Sequence, residues 1–356
     1  MPRPVQALID LSAFCHNYRL AKRFAAPARA WAVIKANGYG HGAIALAQAL
    51  PEADGFAVAS LEEALELREA GITQPILLLG GFFTVPELDD IARWQLDAVI
   101  HSPEQLALLA SARLSEPLKL WLKLDTGMHR LGLNQQQLNQ AIGPLQGARH
   151  RLHLMTHLAC ADEPGCDATA RQLQCFRAMT AGLSWPASLA NSAGLIAWPD
   201  TRADWVRPGI MLYGSSPFVD EHPIQAELQP VMMLSSRIVA IRDVASGEAV
   251  GYGQTWRAER PSRIGTVAVG YGDGYPRHAP SGTPVLVGGR RTTLVGRVSM
   301  DSIGIDLTDR PEVCVGDEVI LWGQGLDINE IARAAGTISY ELLTGVSARV
   351  PRLVKP

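Results

Sequence analysis

The sequence has few cysteines and no marked excess of either charge. Its five cysteines are odd in number and include no CxxC pair, which argues against a disulfide framework and against a structural zinc site. Lys+Arg number 32 against 35 Asp+Glu, so the formal net charge is only −3. This balance gives no overall basic footprint of the kind that nucleic-acid-binding proteins carry.

Long apolar runs and targeting segments are also lacking. No apolar run approaches the ~20 residues that a membrane span requires. The first residues, MPRPVQALIDLSAFCHNYRL, have neither the apolar core nor the cleavage site of a secretory signal. We therefore expect a cytoplasmic protein with no membrane partner. The chain has 356 residues, of which 47% are hydrophobic, and such a length suggests two domains.

From the N-terminus to about residue 215, short apolar runs alternate with helix-like segments. Stretches at 61–71, 102–114 and 172–183 have apolar residues at helical spacing. The apolar runs are WAVIK, GFAVA, PILLLG, DAVI, LKLWLKLD, RLHLMTHL, SLAN and DWVRPGI. Such alternation predicts parallel strands closed into a (β/α)8 barrel of the TIM type. A doubly wound open sheet is the alternative, since periodicity alone does not separate the two.

The chain changes character after this region. Residues 216–230 carry three prolines and no clean periodicity, which predicts a domain boundary. Beyond it, short β-type runs are separated by Gly, Asp and Pro, as in an antiparallel β domain, and one helix is expected at 328–336. The predicted fold is α/β, with the barrel over 1–225 and a mainly antiparallel β domain over 226–356.

The run WAVIK ends in a lysine that precedes a Gly-rich turn. Strand alternation places Trp31, Val33 and Lys35 on one face, with Lys35 as the last strand residue. Catalytic residues of such barrels come from the carboxyl ends of the strands. A lysine there can form a Schiff base with a carbonyl compound when its surroundings lower its pKa. A lysine that merely ends a strand in solvent is the plainer interpretation.

The segment VIKANGYGHG closely resembles the pyridoxal phosphate attachment motif of alanine racemases. Other blocks of that family follow in its order over essentially the whole chain, whereas GxGxxG and Walker signatures are absent. These blocks are KLDTGMHRLG, NSAG, DWVRPGIMLYG, VGYGQTW, VGYGDGYPR and GRVSMD. The resemblance implies a barrel that holds pyridoxal 5'-phosphate on Lys35 and interconverts L- and D-alanine.

Racemisation removes a proton from one face of the α-carbon and returns one to the other, so two bases must flank the substrate. The resemblance implies that these bases are Lys35 and Tyr252, and that the tyrosine comes from the neighbouring subunit of a homodimer. It also implies that the partner subunit brings Tyr271, Met300 and Asp301 to the substrate. On the plainer interpretation these segments are turns of the β domain.

The resemblance also assigns cofactor contacts. Arg207 would donate to the pyridine nitrogen without giving up its proton, because arginine stays charged in proteins, and His157 would link Arg207 to the tyrosine. The phosphate-binding groups implied are Tyr39, Ser192 and the backbone around Gly209 and Ile210.

Lys123 is a lysine on the inward face of a predicted strand, a position that is costly unless the charge is neutralised or paired. The resemblance implies that Lys123 is carbamylated and orients Arg130 toward the substrate carboxylate. An unmodified Lys123 interacting with Asp125 is the alternative. We expect no metal site, because His153 and His157 would lie about 13 Å apart on a strand.

Three positions depart from the family pattern. Asn37 stands where many members carry Asp, and His129 stands where some carry Gly. Ala348 stands where some members have a phosphate-binding tyrosine, which would remove one hydrogen bond to the phosphate.

Three rival functions follow from the same residues. The first is a serine or broader-specificity racemase, or a decarboxylase, of similar fold; a channel walled by Tyr271 and Tyr340 favours alanine. The second is a non-catalytic pyridoxal phosphate carrier, against which the β domain counts. The third is a Schiff-base aldolase that uses Lys35 alone. Both D-alanine supply for peptidoglycan and alanine catabolism remain open.

Overall fold

The computed structural model describes residues 3–114 and 116–355. Its first part is a closed barrel of eight parallel strands, in which the last strand pairs with the first. The barrel strands are Arg29–Val33, Gly55–Val58, Ile76–Leu78, Asp97–Ile100, Lys119–Lys123, Arg151–Met155, Ala187–Ser188 and Trp205–Val206. The predicted (β/α)8 barrel is confirmed, and the open sheet is wrong.

Helices accompany the barrel strands, and their apolar sides are buried. Several begin as their sequence indicates: Ser102 accepts from the backbone N–H of Gln105, and Asn134 and Gln137 form a capping box. The helices are Leu11–Ala25, Ala43–Gln48, Leu61–Glu69, Val85–Arg93, Pro103–Ser111, Gln135–Gly147, Ala168–Met179 and Ser192–Ala197. The three predicted helical stretches all fall on helices of this set.

Aromatic side chains fill the barrel interior. The ring of Trp31 lies 4.2 Å from that of Trp205 and 6.0 Å from that of Trp121, centroid to centroid. Lys119 pairs with Asp97 beside these rings, at 2.7 Å between Nζ and Oδ2. Asp97, Lys119 and Trp205 are the first residues of their strands. The amino end of the barrel is therefore packed, and open space is left to the carboxyl end.

The second part of the chain is a mainly antiparallel sheet, as predicted. Its long strand Met232–Val244 pairs with Glu318–Trp322 through its first half and with Ser262–Val267 through its second. Three further strands complete the connection between Glu318–Trp322 and Ser262–Val267, so that these six strands form a closed ring. They are Pro284–Val287, Arg290–Val295 and Ile303–Asp306. A separate hairpin joins Ala249–Val250 to Trp256–Arg257.

The two ends of the described chain also join this second sheet. Gln6–Asp10 pairs antiparallel with Met232–Val244 and parallel with Arg352–Lys355. The strand Gln6–Asp10 therefore lies outside the barrel, although it falls within residues 1–225. The division between residues 225 and 226 stays a prediction.

Two helices close the second part. Ile328–Ala334 is the helix that the sequence predicts, and Ser339–Gly345 is an additional one. The second packs against the barrel opening so closely that a Cβ at Gly40 would lie 2.5 Å from the carbonyl oxygen of Leu343. Among the described residues, none of the helices combines the length and the apolar character needed to span a bilayer.

Candidate active site

A cavity of about 690 Å³ opens at the carboxyl ends of the barrel strands. Four basic side chains and one carboxylate, Glu341, are among its lining groups. The cavity brings together nine of the residues that the sequence singles out: Lys35, Tyr39, Lys123, Arg130, His157, Ser192, Arg207, Gly209 and Ile210. It is a cationic site, suited to an anionic ligand.

Lys35 lies just beyond its strand rather than at its last position. The strand ends at Val33, and Lys35 begins the helical turn Lys35–Tyr39. Within this turn Ala36, Asn37 and Gly38 have φ of 53°, 52° and 62°. Such left-handed backbone is strained for residues other than glycine. The expectation that the strand continues to Lys35 is wrong because the chain reverses handedness at this point.

Side chains from other elements hold the Lys35 turn. Glu63 accepts from the backbone N–H of Ala36 at 2.6 Å through Oε1 and from that of Ala59 at 2.7 Å through Oε2. From the second domain, Arg352 donates through Nε to the carbonyl of Gly40 at 3.0 Å. The turn is thus fixed at both ends by charge-assisted hydrogen bonds, which are the stronger kind.

Asn37 and His129, two of the departures from the family pattern, occupy left-handed positions. Asn37 also accepts from the backbone N–H of Ala43 at 2.9 Å through its side chain, and His129 has φ of 55°. Asparagine tolerates this conformation, and glycine prefers it.

The environment of Lys35 lowers the pKa of its amine. Burial lowers the pKa of this lysine, and the charge of Arg130 lowers it further, while Glu63 acts in the opposite direction. Only the neutral amine can attack a carbonyl carbon, so the site increases the reactive fraction of Lys35.

Arg207 is buried and held almost entirely by the barrel backbone. Its Nη1 donates to the carbonyl and the hydroxyl of Ser188 at 2.8 and 2.7 Å. Its Nη2 donates to the carbonyls of Thr156 at 2.6 Å and Leu189 at 3.1 Å. No described residue accepts a hydrogen bond from its Nε. The guanidinium therefore lines the cavity with one donor available to a ligand.

His157 is neutral in this site. Its Nδ1 lies 3.5 Å from Nη2 of Arg207. Burial keeps the pKa of His157 well below its ordinary value, and the charges of Arg207 and Lys123 add to the effect. A neutral imidazole next to a guanidinium can accept a hydrogen bond from it but does not add charge to the cavity.

Lys123 is the last residue of its strand, and it is the second lysine of the cavity whose pKa is lowered. Burial and the charges of Arg207 and Arg130 lower its pKa to about 8. Asp125 instead accepts from the backbone N–H of His129 at 3.0 Å and contacts its Nδ1 at 2.9 Å. Within the described residues no salt bridge joins Lys123 to Asp125, but the negative charge of Asp125 acts against the lowering of the Lys123 pKa. An unmodified Lys123 interacting with Asp125 therefore stays an alternative.

A group of small and hydroxyl-bearing residues also lines the cavity. Ser192 accepts through Oγ from the backbone N–H groups of Gly209 at 2.9 Å and Met211 at 3.4 Å. A Cβ at Gly209 would lie 2.8 Å from the hydroxyl of Tyr39, so only glycine leaves this space open. Among the described residues, nothing accepts from the Tyr39 hydroxyl or from the N–H of Ile210.

Tyr340 also lines the cavity, with its ring centroid 6.0 Å from that of Tyr39. Ala348 is exposed and lies outside the lining. The loss of a hydrogen bond to the phosphate at position 348 stays a prediction.

Four residues that the sequence singles out lie outside the cavity, on the second domain. Tyr252 is 69% exposed in the turn Tyr252–Gln254 at the hairpin tip, and Met300 is 52% exposed. Tyr271 stands next to Met300, because the N–H of Gly272 donates to the Met300 carbonyl at 2.9 Å. The carboxylate of Asp301 pairs with Arg349 at 2.7 Å. All four side chains are exposed, and none of them lines the cavity that holds Lys35 of the same chain.

Another cavity of similar size, about 650 Å³, lies between the helices Pro103–Ser111 and Gln135–Gly147. Its lining is mainly alanine, leucine, proline and glutamine, with Glu116 and His150 as its ionisable groups. It lacks a convergent set of charged groups, so the barrel cavity is the candidate active site.

Several residues of the site were not identified from the sequence. Glu63 reads as an ordinary acidic residue in the first turn of a helix, and Arg352 reads as part of a basic C-terminal segment. Tyr213 donates to the carbonyl of Val33 at 2.9 Å and stacks on Tyr39 at 4.5 Å. Their roles depend on contacts between distant segments, which a single sequence does not display.

This fold and cavity define a barrel enzyme with a reactive lysine set among cations. Family models match the two parts of the chain: "Alanine racemase, N-terminal domain" over residues 9–217 and "Alanine racemase, C-terminal domain" over 231–354. The catabolic alanine racemase of Pseudomonas putida is 53% identical over 353 residues, covering 98% of each chain. The chain belongs to the alanine racemase family, a family of isomerases.

Solved structures agree with this assignment. The biosynthetic alanine racemase of Pseudomonas aeruginosa superposes with a TM-score of 0.97 at 51% identity, covering 99% of this chain and 100% of the other. An alanine racemase from Bartonella henselae superposes with a TM-score of 0.89 at 32% identity, with coverage of 99% and 100%. That structure contains covalently bound pyridoxal phosphate.

Proposed function

We propose that the protein interconverts L-alanine and D-alanine with pyridoxal 5'-phosphate bound in the barrel cavity. One observation carries this proposal: a lysine whose pKa is lowered lies in the same cavity as an arginine with one N–H that donates to no described residue. Lys35 and Arg207 line the same cavity, and each offers a group that no other described residue uses.

The donor set fits this cofactor. Lys35 can hold its aldehyde carbon, and Nε of Arg207 can donate to its ring nitrogen. The hydroxyls of Tyr39 and Ser192 and the N–H of Ile210 can hold its phosphate, in the space that Gly209 leaves open. The cavity has four basic side chains and one carboxylate, and this excess of positive charge offsets the negative charge of the phosphate.

Bound pyridoxal phosphate makes the α-proton of the substrate acidic by withdrawing electrons from the α-carbon. Lys35 holds or gives a proton at Nζ on one side of that carbon. Arg207 donates to the ring nitrogen but keeps its own proton, because guanidinium stays charged. His157, which is neutral, accepts from Arg207 and fixes its direction.

The second base is Tyr252 of a second copy of the chain. Its side chain is 69% exposed on its own chain and lies outside its own cavity, so it is available to a neighbouring active site. Tyr271, Met300 and Asp301 lie on the same domain and would approach the substrate with it. The proposed protein is thus a homodimer with shared active sites, and the exposure of Tyr252 supports this.

Arg130 and Lys123 serve the substrate side of the cavity. Arg130 is exposed on its loop and faces the cavity, where it can bind the alanine carboxylate. Lys123, once carbamylated, would carry a negative charge that orients Arg130. Its lowered pKa, about 8, supports this modification, because carbon dioxide reacts with the neutral amine.

Two measurements test the proposal. Lys35→Ala should abolish the visible absorbance that added pyridoxal phosphate gives with the native protein, whereas Lys355→Ala, at a surface lysine paired with Asp10, should keep it. Circular dichroism on a panel of L-amino acids should show racemisation of alanine above all others. Equal turnover of serine would favour the broader racemase, and absorbance without turnover would favour the carrier.

The similarity to relatives does not distinguish a biosynthetic role from a catabolic one. A catabolic and a biosynthetic alanine racemase match this chain at 53% and 51% identity. Supply of D-alanine for peptidoglycan and alanine catabolism both fit the proposed activity.

A further inference from the structure

A buried carboxylate of the second domain is held by arginines from opposite ends of the chain. Asp273 is fully buried, in the turn Tyr271–Asp273. Arg3 donates to it twice, from Nη1 to Oδ1 and from Nη2 to Oδ2, the latter at 2.9 Å. Arg349 donates through Nε to Oδ1 at 2.7 Å, and the N–H of Gly270 donates to Oδ2 at 2.9 Å. Arg3, Asp273 and Arg349 form what we call the arginine–aspartate cluster.

The two arginines of this cluster also hold a neighbouring segment. Arg3 donates through Nη2 to the carbonyl of Asp301 at 2.9 Å. Arg349 donates through its own Nη2 to the carboxylate of Asp301 at 2.7 Å and to the carbonyl of Met300 at 3.4 Å. The N–H of Gly272 donates to the same Met300 carbonyl. The cluster therefore joins the turn that contains Tyr271 to the segment that contains Met300.

The charges of the cluster make these contacts strong. Burial alone would raise the pKa of Asp273, but hydrogen bonds from Arg3, Arg349 and the N–H of Gly270 lower it below its ordinary value. The carboxylate is therefore ionised at neutral pH, and its hydrogen bonds to the guanidinium groups are charge-assisted. Arg349 reaches two different carboxylates through two different nitrogens, which the planar fork of an arginine allows.

We propose that the arginine–aspartate cluster positions Tyr271 and Met300 for the substrate that is bound by a second copy of the chain. This inference rests on the proposed function, in which both residues approach that substrate. Their side chains are 39% and 52% exposed, so contacts within their own chain leave them largely uncovered. Their place is set instead by the backbone, and the cluster holds the backbone of both segments.

The contacts of the cluster imply an effect on substrate binding more than on turnover. Within the described residues, its side-chain hydrogen bonds reach neither the turn that carries Tyr252 nor the lining of the cavity around Lys35. Loss of an arginine from the cluster therefore leaves both proposed bases in place and releases only the segments that face the substrate.

Steady-state kinetics of Arg349→Gln and Arg3→Gln, with pyridoxal phosphate added, test this inference. Each variant should raise the KM for alanine about tenfold and change kcat by less than about twofold, because a binding group displaced by about 1 Å loses much of its contact. The matched control is Arg291→Gln. It removes another arginine of the second domain, which makes two hydrogen bonds to Glu330 at 2.6 and 2.9 Å, and it should keep the native KM.

A second measurement does not depend on activity. Amide hydrogen exchange, followed by mass spectrometry, should be faster in Arg349→Gln than in the native protein for peptides that cover residues 270–275 and 299–302, because local opening there loses two charge-assisted hydrogen bonds. Peptides from the barrel strands should exchange at the native rate, and Arg291→Gln should match the native protein in both segments.

Mixed dimers show in which active site Arg349 acts. When Lys35→Ala chains are refolded with Tyr252→Phe chains, the one site with both native bases takes Lys35 from the Tyr252→Phe chain and its second-domain residues from the Lys35→Ala chain. Arg349→Gln should therefore raise the KM when it is added to the Lys35→Ala chain. Added to the Tyr252→Phe chain, it should give the KM of the original mixture.

Three results would overturn the inference while the proposed function stands: a native KM in both Arg349→Gln and Arg3→Gln, native exchange rates in both segments, and a KM that rises only when Arg349→Gln is added to the Tyr252→Phe chain. A native protein that does not racemise alanine would overturn the proposed function and this inference with it. The activity of the native protein thus distinguishes the two failures.

Discussion

Oε1 of Glu63 lies 2.6 Å from the backbone nitrogen of Ala36, the residue that follows Lys35. The same carboxylate also accepts from Ala59, so one side chain joins the Lys35 turn to the next strand of the barrel. A glutamine has one accepting oxygen in place of two, and its amide would face a backbone donor. The carboxylate is therefore needed at this position.

Glu63→Gln should lower the free energy of unfolding by about 2 kcal/mol, the range of one hydrogen bond to a charged group. Urea unfolding monitored by circular dichroism measures this. Glu66→Gln, on the exposed side of the same helix, is the matched control and should change stability by less than about 0.5 kcal/mol. Equal stability of both variants would mean that the turn does not depend on Glu63.

Gly209→Ala should weaken the binding of pyridoxal phosphate about tenfold or more, because its Cβ would lie 2.8 Å from the Tyr39 hydroxyl and overpacking costs about 1–3 kcal/mol. Absorbance titration with the cofactor measures the change. The control is Gly147→Ala at the exposed end of a helix with open space around it, which should bind the cofactor normally and change stability by less than about 1 kcal/mol. Unchanged affinity of the first variant would place the phosphate elsewhere.

Lys123 should take up carbon dioxide as the pH rises. With a pKa of about 8, its neutral amine increases steeply between pH 7 and pH 9, whereas an ordinary lysine stays almost fully charged over about the same range. Isotope-labelled bicarbonate and carbon NMR should give a carbamate signal that grows with pH and disappears in Lys123→Ala. Lys355→Ala should retain it. A signal that survives in Lys123→Ala belongs to another amine of the chain.

Acid should destabilise the fold through His41. Its Nδ1 contacts the carbonyls of Gly38 and Tyr39 at 3.0 and 2.9 Å, and burial lowers its pKa to about 4. Below pH ~6.5 the unfolded chain binds a proton that the folded chain refuses, so stability falls by about 1.4 kcal/mol per pH unit until pH reaches the folded pKa.

Urea unfolding between pH 7 and pH 5 measures this dependence. His41→Asn should be less stable at pH 7 but lose less stability on acidification than the native protein. His278→Asn, at an exposed position, should follow the native protein. Parallel curves for all three proteins would show that His41 takes up its proton in the folded state.

Mixing two inactive variants tests the shared active site. Lys35→Ala and Tyr252→Phe chains, unfolded together and refolded with pyridoxal phosphate, should regain part of the racemase activity, since a mixed dimer contains one site with both native bases. Each variant refolded alone should stay inactive. If mixed dimers are detected by mass spectrometry and activity is still absent, the two bases do not come from different chains.

The barrel could be predicted because its strands are buried on both faces and read as short apolar runs between amphipathic helices. The pairing of Gln6–Asp10 with Arg352–Lys355 could not, because its partners lie at opposite ends of the chain and local pattern does not report such pairing. In the site, Lys35 and Arg207 could be identified from the family resemblance. Glu63 and Arg352 were not, since each acts on the Lys35 turn through a contact made only in the folded chain.

The bond from Arg352 to Gly40 also sets an order of events during synthesis. The barrel segments leave the ribosome first, and domains generally begin to fold as they emerge. The turn beside Lys35, however, accepts a hydrogen bond from an arginine more than three hundred residues later in the chain. The Lys35 turn therefore gains this charge-assisted hydrogen bond only after the last strand has been translated.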